Sequence, residues 1–356
     1  MRPTQPTRRD LLTAIAAGAF TSALSATQLK PTRPAVSIVK IRNGNIEAAV
    51  EHAVELLGGM RAIAQNKERI LLKPNLVSPE PDATTKPAVI RTLARLMKAA
   101  GKDVSIGEGS AAAPPFNVHG TEIFRTTKRD LLDRLQRHVF DQLGYTELAR
   151  SLGVPLVNLH TGDLVEVNLP GAFVFEKLTI HRALVETDLL CSVPMMKTHT
   201  LAGVTLGMKN LIGLYPGAVY QAVRGRMHDA AAKVEPSGTA AAIVDMVRAN
   251  QVGLVVIDGS TAMEGNGPTG GTLVPMGTIV AGTNPLATDM VGASLMGFEA
   301  SEIPTFTWAH KAGLRPTSLD DIEIRGESVA DLRRSFARPQ IYPWEVVRGQ
   351  WASREI

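Results

Sequence analysis

Short apolar runs recur along the chain, and each stops at a polar or glycine-rich cluster. Ile70–Leu72 runs into Lys73-Pro74-Asn75, and Val104–Ile106 into Gly107-Glu108-Gly109-Ser110. Leu189–Val193 runs toward Lys197 and His199, and Leu254–Ile257 into Asp258, Glu264 and five glycines. Thr278–Ala281 runs into Asn284 and Asp289. Runs this short, bounded by turn residues, predict buried strands. Helical spacing lies between them. Ile46, Val50, Val54 and Leu57 form one stripe ending at Gly58-Gly59, and Val89, Ile90, Leu93, Leu96 and Met97 form another ending at Gly101. Leu131, Leu132, Leu135, Val139, Phe140 and Leu143 form a third, closed by Gly144. Ile243, Met246 and Val247 suggest a helix before the Leu254 strand, and one opens at Pro285.

Alternating strands and helices argue for an α/β fold: a mostly parallel, layered sheet with helices on both faces. In such sheets ligands bind outside the carboxyl ends of the strands, so parallel strands would gather all five polar clusters at one cleft. Pro114–Lys128 and Tyr215–Gly238 read as loops or insertions of the length that often forms lids or binding loops, and they carry His119 and His228. The tail from Arg333 reads as a surface-packed extension with Trp344 and Trp351.

The clusters bring chemistry. Lys73, Lys197 and Lys209 would supply cations, and lysines hold carboxylate or phosphate as point charges. Glu108, Asp258, Glu264 and Asp289 would supply carboxylates, which suit a hard divalent cation. His199 titrates near neutrality, and a buried lysine can lose its proton and act as base or nucleophile. Each residue also has an ordinary reading: Lys73 as a strand end reaching solvent, Glu108 and Asp258 as turn carboxylates, Asp289 as a lysine's partner, and His199 and His228 as hydrogen-bonded structural histidines. The glycines of "GEGS" and "GNGPTGG", Gly265 and Gly267 among them, could cradle an anion through backbone N–H groups. No HExxH, CxxC, GxSxG or P-loop pattern is present.

Composition narrows the classes. Of 356 residues 44% are hydrophobic and 20% charged, which is globular. Aromatics are 4% and the net charge is +4, with no basic patch interleaved with aromatics, so nucleic acid is not an expected partner. The single cysteine, Cys191, rules out an internal disulfide and a Cys-ligated iron–sulfur cluster within this chain, and its apolar setting reads as a small buried hydrophobe rather than a nucleophile.

The first thirty residues read as an address and linker. Arg8–Arg9 precede an apolar run from Leu11 to Leu24, then small residues around Ala26. The run is short for a membrane span, so no stable transmembrane segment is expected after processing. The arginine pair followed by Asp10-Leu11-Leu12 resembles a twin-arginine (Tat) signal, which implies transient contact with the Tat translocon and a periplasmic or otherwise exported destination.

"ILLKPNLV", "CSVPMMKTHTLAGVTLGMKNLIG", "IDGSTAMEGNGPTGG" and "VAGTNPLATD" together resemble the DUF362 family over roughly residues 36–325. The expected division is a signal and linker over 1–30, a DUF362-like α/β domain of one or two lobes over 31–326, and an extension over 327–356. The resemblance implies a shared cleft formed by Lys73, Asn75, Lys197, His199, Lys209, Asn210, Asp258, Glu264, Gly265, Gly267, Asn284 and Asp289. His228 sits where the family tends to place a histidine. Some relatives carry a ferredoxin-like cluster domain, but this chain lacks its cysteines.

The expected function is an exported enzyme acting on a small anionic ligand, with redox chemistry weakly favoured and a divalent metal or tightly bound organic cofactor as candidates. His199, Lys197 and Asp258 are the expected catalytic groups. Lys73, Asn75, Glu108, Ser110, Lys209, Asn210, Gly265, Gly267, Asn284 and His228 are expected to bind substrate or cofactor, and Glu264 and Asp289 to hold a metal. The alternative is a periplasmic cofactor- or anion-binding, or maturation, protein without turnover.

Overall fold

The computed structural model describes residues 33–349 and 351–356. Residues 1–30, read from the sequence as a Tat-type signal and linker, lie outside the described residues. Among the described residues the central sheet has eleven strands, and eight of them form its main path: β1 (Ala35–Lys40), β2 (Arg69–Pro74), β3 (Asp103–Glu108), β4 (Leu156–Asn158), β5 (Leu189–Val193), β6 (Val252–Glu264), β7 (Thr278–Gly282) and β8 (Glu323–Gly326). Their spatial order is β8-β1-β7-β6-β5-β2-β3-β4. Every neighbouring pair is parallel except the two that β7 makes, with β1 and with β6.

The inner strands are buried on both faces, which is why they read as nearly continuous apolar runs. Leu71, Leu190, Val255 and Ile257 point into one core, and Ile70, Leu72, Leu189, Cys191, Leu254 and Val256 into the other. The second core is closed by the helices Ile46–Leu56, Pro87–Ala99 and Arg129–Gln142. The first is closed by Gly238–Ala249, Pro285–Leu295 and Pro304–Lys311. The helices thus lie on both faces of a mostly parallel sheet, as expected from the sequence. Burying an apolar side chain in either core is worth about 1.5–3 kcal/mol.

After β5 the chain passes Pro194 and re-forms as a second strand, Met195–His199, parallel to the far half of β6 and hairpinned onto Gly203–Thr205. Pro194 cannot donate to a ladder, so the break falls there. The short helix Gly207–Asn210 follows and returns the chain to the carboxyl ends of β2 and β5.

Both sequence-expected loops contain structure. Residues 114–128 hold the antiparallel pair Val118–His119 and Glu122–Arg125, and residues 215–238 hold the helices Gly217–Tyr220 and Gly225–Ala231. The C-terminal segment runs back over the molecule. Phe336 enters the first core, and Trp351–Glu355 adds a parallel strand beside Glu122–Arg125.

Candidate functional site

β2 and β3 are neighbours, and each carries a charge at its carboxyl end. Lys73 and Glu108 are almost wholly buried. The Lys73 ammonium donates to both Glu108 oxygens at 2.8 and 2.9 Å, to the Asn210 Oδ1 at 3.1 Å and to the Pro74 carbonyl at 3.0 Å. Glu108 also accepts the amides of Leu76 and Gly109. Burial pulls the Lys73 pKa down, and Glu108 pulls it back up. The pair is neutral overall and its donors and acceptors are matched, as a buried ion pair requires. Asn210 stitches it to the neighbouring strand by donating to the Lys73 carbonyl and the Ser192 hydroxyl.

Gly213 seals this pair. A Cβ there would stand 2.5 Å from the Glu108 Oε1 and 2.8 Å from the Lys73 Nζ, so the "KNLIG" turn needs glycine to lie flush on it.

Above the pair is a cavity of about 460 Å³. Lys73, Asn75, Glu108, Lys197, His199, Lys209, Asn210 and His228 all line it, so the structure brings eight of the sequence-expected residues together. Its charge is lopsided. The Lys197 ammonium donates to the carbonyls of Ala83 and Pro268, and the Lys209 ammonium has no hydrogen-bond partner among the described residues. Burial, first, and then Lys209, lowers the Lys197 pKa to about 7. Burial, then Arg224 and Lys73, lowers that of Lys209 to about 7. Glu108 is already paired with Lys73, and the other lining carboxylate, Glu80, is exposed.

His199 is neutral here. Burial and the nearby Lys209 and Lys197 push its pKa well below the usual value. Its Nδ1 accepts the Leu201 amide at 3.0 Å, which puts the ring proton on Nε2 as a donor. Burial and then Lys209 take His228 down to about 3. Its ring stacks on Trp344 with centroids 4.6 Å apart. Asn75 Oδ1 and Thr205 Oγ1 are buried at the cavity without a protein partner among the described residues. Unpartnered buried polar atoms are uncommon and need an explanation.

Arg224 is the residue that sequence reasoning missed. It lies in a segment read as a loop, on a left-handed backbone (φ 59°) that costs a non-glycine residue energy. Its guanidinium donates to the carbonyls of Gly109, Ser110, Gly213 and Ala222. No carboxylate within ion-pair distance is found for it among the described residues, and burial lowers its pKa to about 10. No periodicity or motif marks it.

Seven expected residues lie elsewhere. β7 runs antiparallel, so its carboxyl end faces the opposite edge of the sheet, and Asn284 goes with it. Asn284 caps the helix Pro285–Leu295, accepting the Ala287 amide. Asp289, on that helix, accepts the amides of Gly207 and Met208 at 2.7 and 2.8 Å, anchoring the turn that carries Lys209 and Asn210; burial pushes its pKa up to about 7. Asp258 is not a strand end, because β6 continues to Glu264; it is buried and accepts from the Lys86 amide and from Ser260. Burial raises its pKa. Glu264 accepts the Ala337 amide. Gly265 and Gly267 pack against the Met195–His199 strand, where a Cβ on Gly267 would stand 2.1 Å from the Thr198 carbonyl oxygen. They deliver Pro268 and Thr269 to the cavity instead of lining it. Ser110 donates its amide to Gln136 behind the wall.

Glu264 and Asp289 therefore do not form one metal site, and among the described residues no three His, Cys, Asp or Glu side chains cluster as metal ligands would. Cys191 is buried in the second core, where burial pushes its thiol pKa up. No described helix is long and apolar enough to cross a membrane.

Fold and site define an α/β protein with a cationic cavity at the carboxyl edge of its parallel strands. The chain belongs to the family described as domain of unknown function DUF362, whose pattern matches residues 70–294. A thylakoid-associated protein of Synechocystis sp. is 26% identical over 316 residues, 88% of this chain and 84% of that one. The lactate racemase apoprotein of Thermoanaerobacterium thermosaccharolyticum superposes with a TM-score of 0.43 at 18% identity, over 77% of this chain and 59% of that one.

Lys73→Met and Glu108→Gln should each cost about 3–5 kcal/mol in urea unfolding, and the double change Lys73→Met/Glu108→Leu less than their sum, because a lone buried charge is worse than none. Lys209→Met should stabilise the protein by about 1 kcal/mol at neutral pH, discounted for solvent in the cavity. The sign follows from the depressed pKa: between about pH 7 and 10 the unfolded chain binds more protons, so wild-type stability rises with pH and the gap to the variant closes. A gap that widens toward alkaline pH would contradict this.

Proposed function

We propose that the cavity binds a small dianionic molecule, of the phosphate-monoester or dicarboxylate class, and that the protein is an enzyme performing acid–base chemistry on it. The observation that carries this reading is the surplus of cations. Lys197 and Lys209 face one cavity whose one buried carboxylate, Glu108, is already paired with Lys73. Both lysines are depressed to about 7, so each can give or take a proton at neutral pH. A bound dianion would favour their charged forms. The neutral His199 would donate from Nε2, and Asn75 and Thr205 would supply further polar contacts. Arg224, fixed by carbonyls, adds positive potential without moving. This chemistry is proton transfer, so that class replaces electron transfer as the proposed reaction.

Sulfate is a clean probe because it stays dianionic across the range. Its affinity, by isothermal titration calorimetry, should fall at least about tenfold from pH 6 to 9 as the lysines lose their protons. Lys209→Met should weaken it by a similar factor. Flat affinity across that range would sink the reading. Turnover is read separately, as solvent deuterium entering C–H bonds of small 2-oxo dicarboxylates. Incorporation that disappears in Lys209→Met supports the enzyme; tight binding with no exchange of any ligand tried supports the binding protein instead.

The same chain is proposed to be exported by the twin-arginine route. Arg8–Arg9 ahead of the Leu11–Leu24 run motivate this, and the thylakoid-associated relative is consistent with a protein that leaves the cytosol. Residues 1–30 fused to a folded reporter should direct it out of the cytosol. Replacing Arg8 and Arg9 together by lysine should abolish that, and export that persists would refute the route.

A further inference from the structure

The cavity has two chemically different walls, built by two different sheets. The charged wall comes from the central sheet: Lys73 and Glu108 end β2 and β3, and Lys197 comes from the strand Met195–His199 beside β6. The other wall comes from a separate three-stranded sheet formed by Val118–His119, Glu122–Arg125 and Trp351–Glu355. Val118 pairs with Ile123, and Ile123 pairs with Trp351, so three apolar side chains stand side by side across that sheet. All three line the cavity, and Val347 joins them from the helix Trp344–Gly349.

Trp351 is held in place. Its ring meets Trp344 edge-on with centroids 4.9 Å apart, and Trp344 stacks on His228 and donates its indole N–H to Asp229. The terminal strand is tied down further where the Ile356 amide donates to the Arg125 carbonyl and the Thr126 hydroxyl donates to the Ile356 carbonyl oxygen. The C-terminal segment is thus a wall of the binding site and not only a surface extension.

A bare inorganic anion would use the charged wall and leave the apolar one facing water. At about 460 Å³ the cavity falls in the size range, roughly 300–1,000 Å³, of sites for organic ligands with an apolar body and a few placed polar contacts. We propose that the ligand is an amphiphilic anion, with its dianionic head at Lys197, Lys209 and His199 and an apolar body, flat enough to lie along a sheet, against Val118, Ile123 and Trp351. This rests on the anion reading above and names the class of molecule that reading leaves open.

The test uses two probes with the same head group, methyl phosphate and phenyl phosphate, titrated into the full chain by calorimetry near neutral pH. Phenyl phosphate should bind at least about tenfold more tightly, from the ring area it buries. In Trp351→Ala that ratio should fall below about threefold, and in Ile123→Ser, which keeps the terminal tryptophans, it should fall as well. Lys209→Met should weaken both probes by a similar factor. Equal affinity of the two probes for wild type overturns this inference and leaves the anion reading standing. So does a ratio that survives both wall variants. Failure of both probes to bind overturns the two together.

Discussion

The buried pair between Lys73 and Glu108 is the interaction on which the site depends. It ties the carboxyl ends of two adjacent parallel strands, and Asn210 ties a third strand to it. Charge in an interior is costly unless it is paired and hydrogen-bonded, and this pair is both. Gly213 follows from it, because the chain must lie directly on the pair, and Gly109 lies as closely against the Arg224 guanidinium. By neutralising each other, Lys73 and Glu108 remove the one buried carboxylate that could have balanced Lys197 and Lys209. The cavity is cationic because its scaffold is neutral.

A second layer of support sits behind the lysines. Asp289 takes two amides of the turn that presents Lys209, from a helix on the first core. The Gly265–Gly267 turn packs on the strand that presents Lys197, and Pro268 accepts from its ammonium. These residues never line the cavity, yet they orient what does. Acidic and glycine-rich segments near a site therefore need not be ligands. Their work can be to fix a short turn whose own backbone has too few partners.

Much of this was legible in the amino-acid pattern, and the failures have clear causes. Strands buried on both faces leave continuous apolar runs, so β2, β3, β5 and β6 were readable, and parallel pairing puts their ends together. The pattern of β7 is just as apolar, but strand direction leaves no trace in composition, and so the sequence alone places Asn284 at the wrong edge. Asp258 interrupts an apolar run and mimics a strand end; in the fold its carboxylate is satisfied by Lys86 and Ser260, so the strand continues through it. Arg224 was invisible because its role comes from four carbonyls brought together by tertiary structure. Trp351 in the tail reads as surface packing because its pairing with Ile123 spans more than two hundred residues of sequence.

Two lysines share a cavity whose one buried lining carboxylate is already paired, and we propose that an anion binds between them. The most direct measurement is an NMR titration of the lysine side-chain nitrogens, with Lys197 and Lys209 assigned by substitution, without and with saturating sulfate. The account predicts two lysines titrating near 7 in the empty protein, both moving up by at least about one unit when sulfate binds. Lysines that titrate near their ordinary value of about 10.4 and do not respond to sulfate would contradict it.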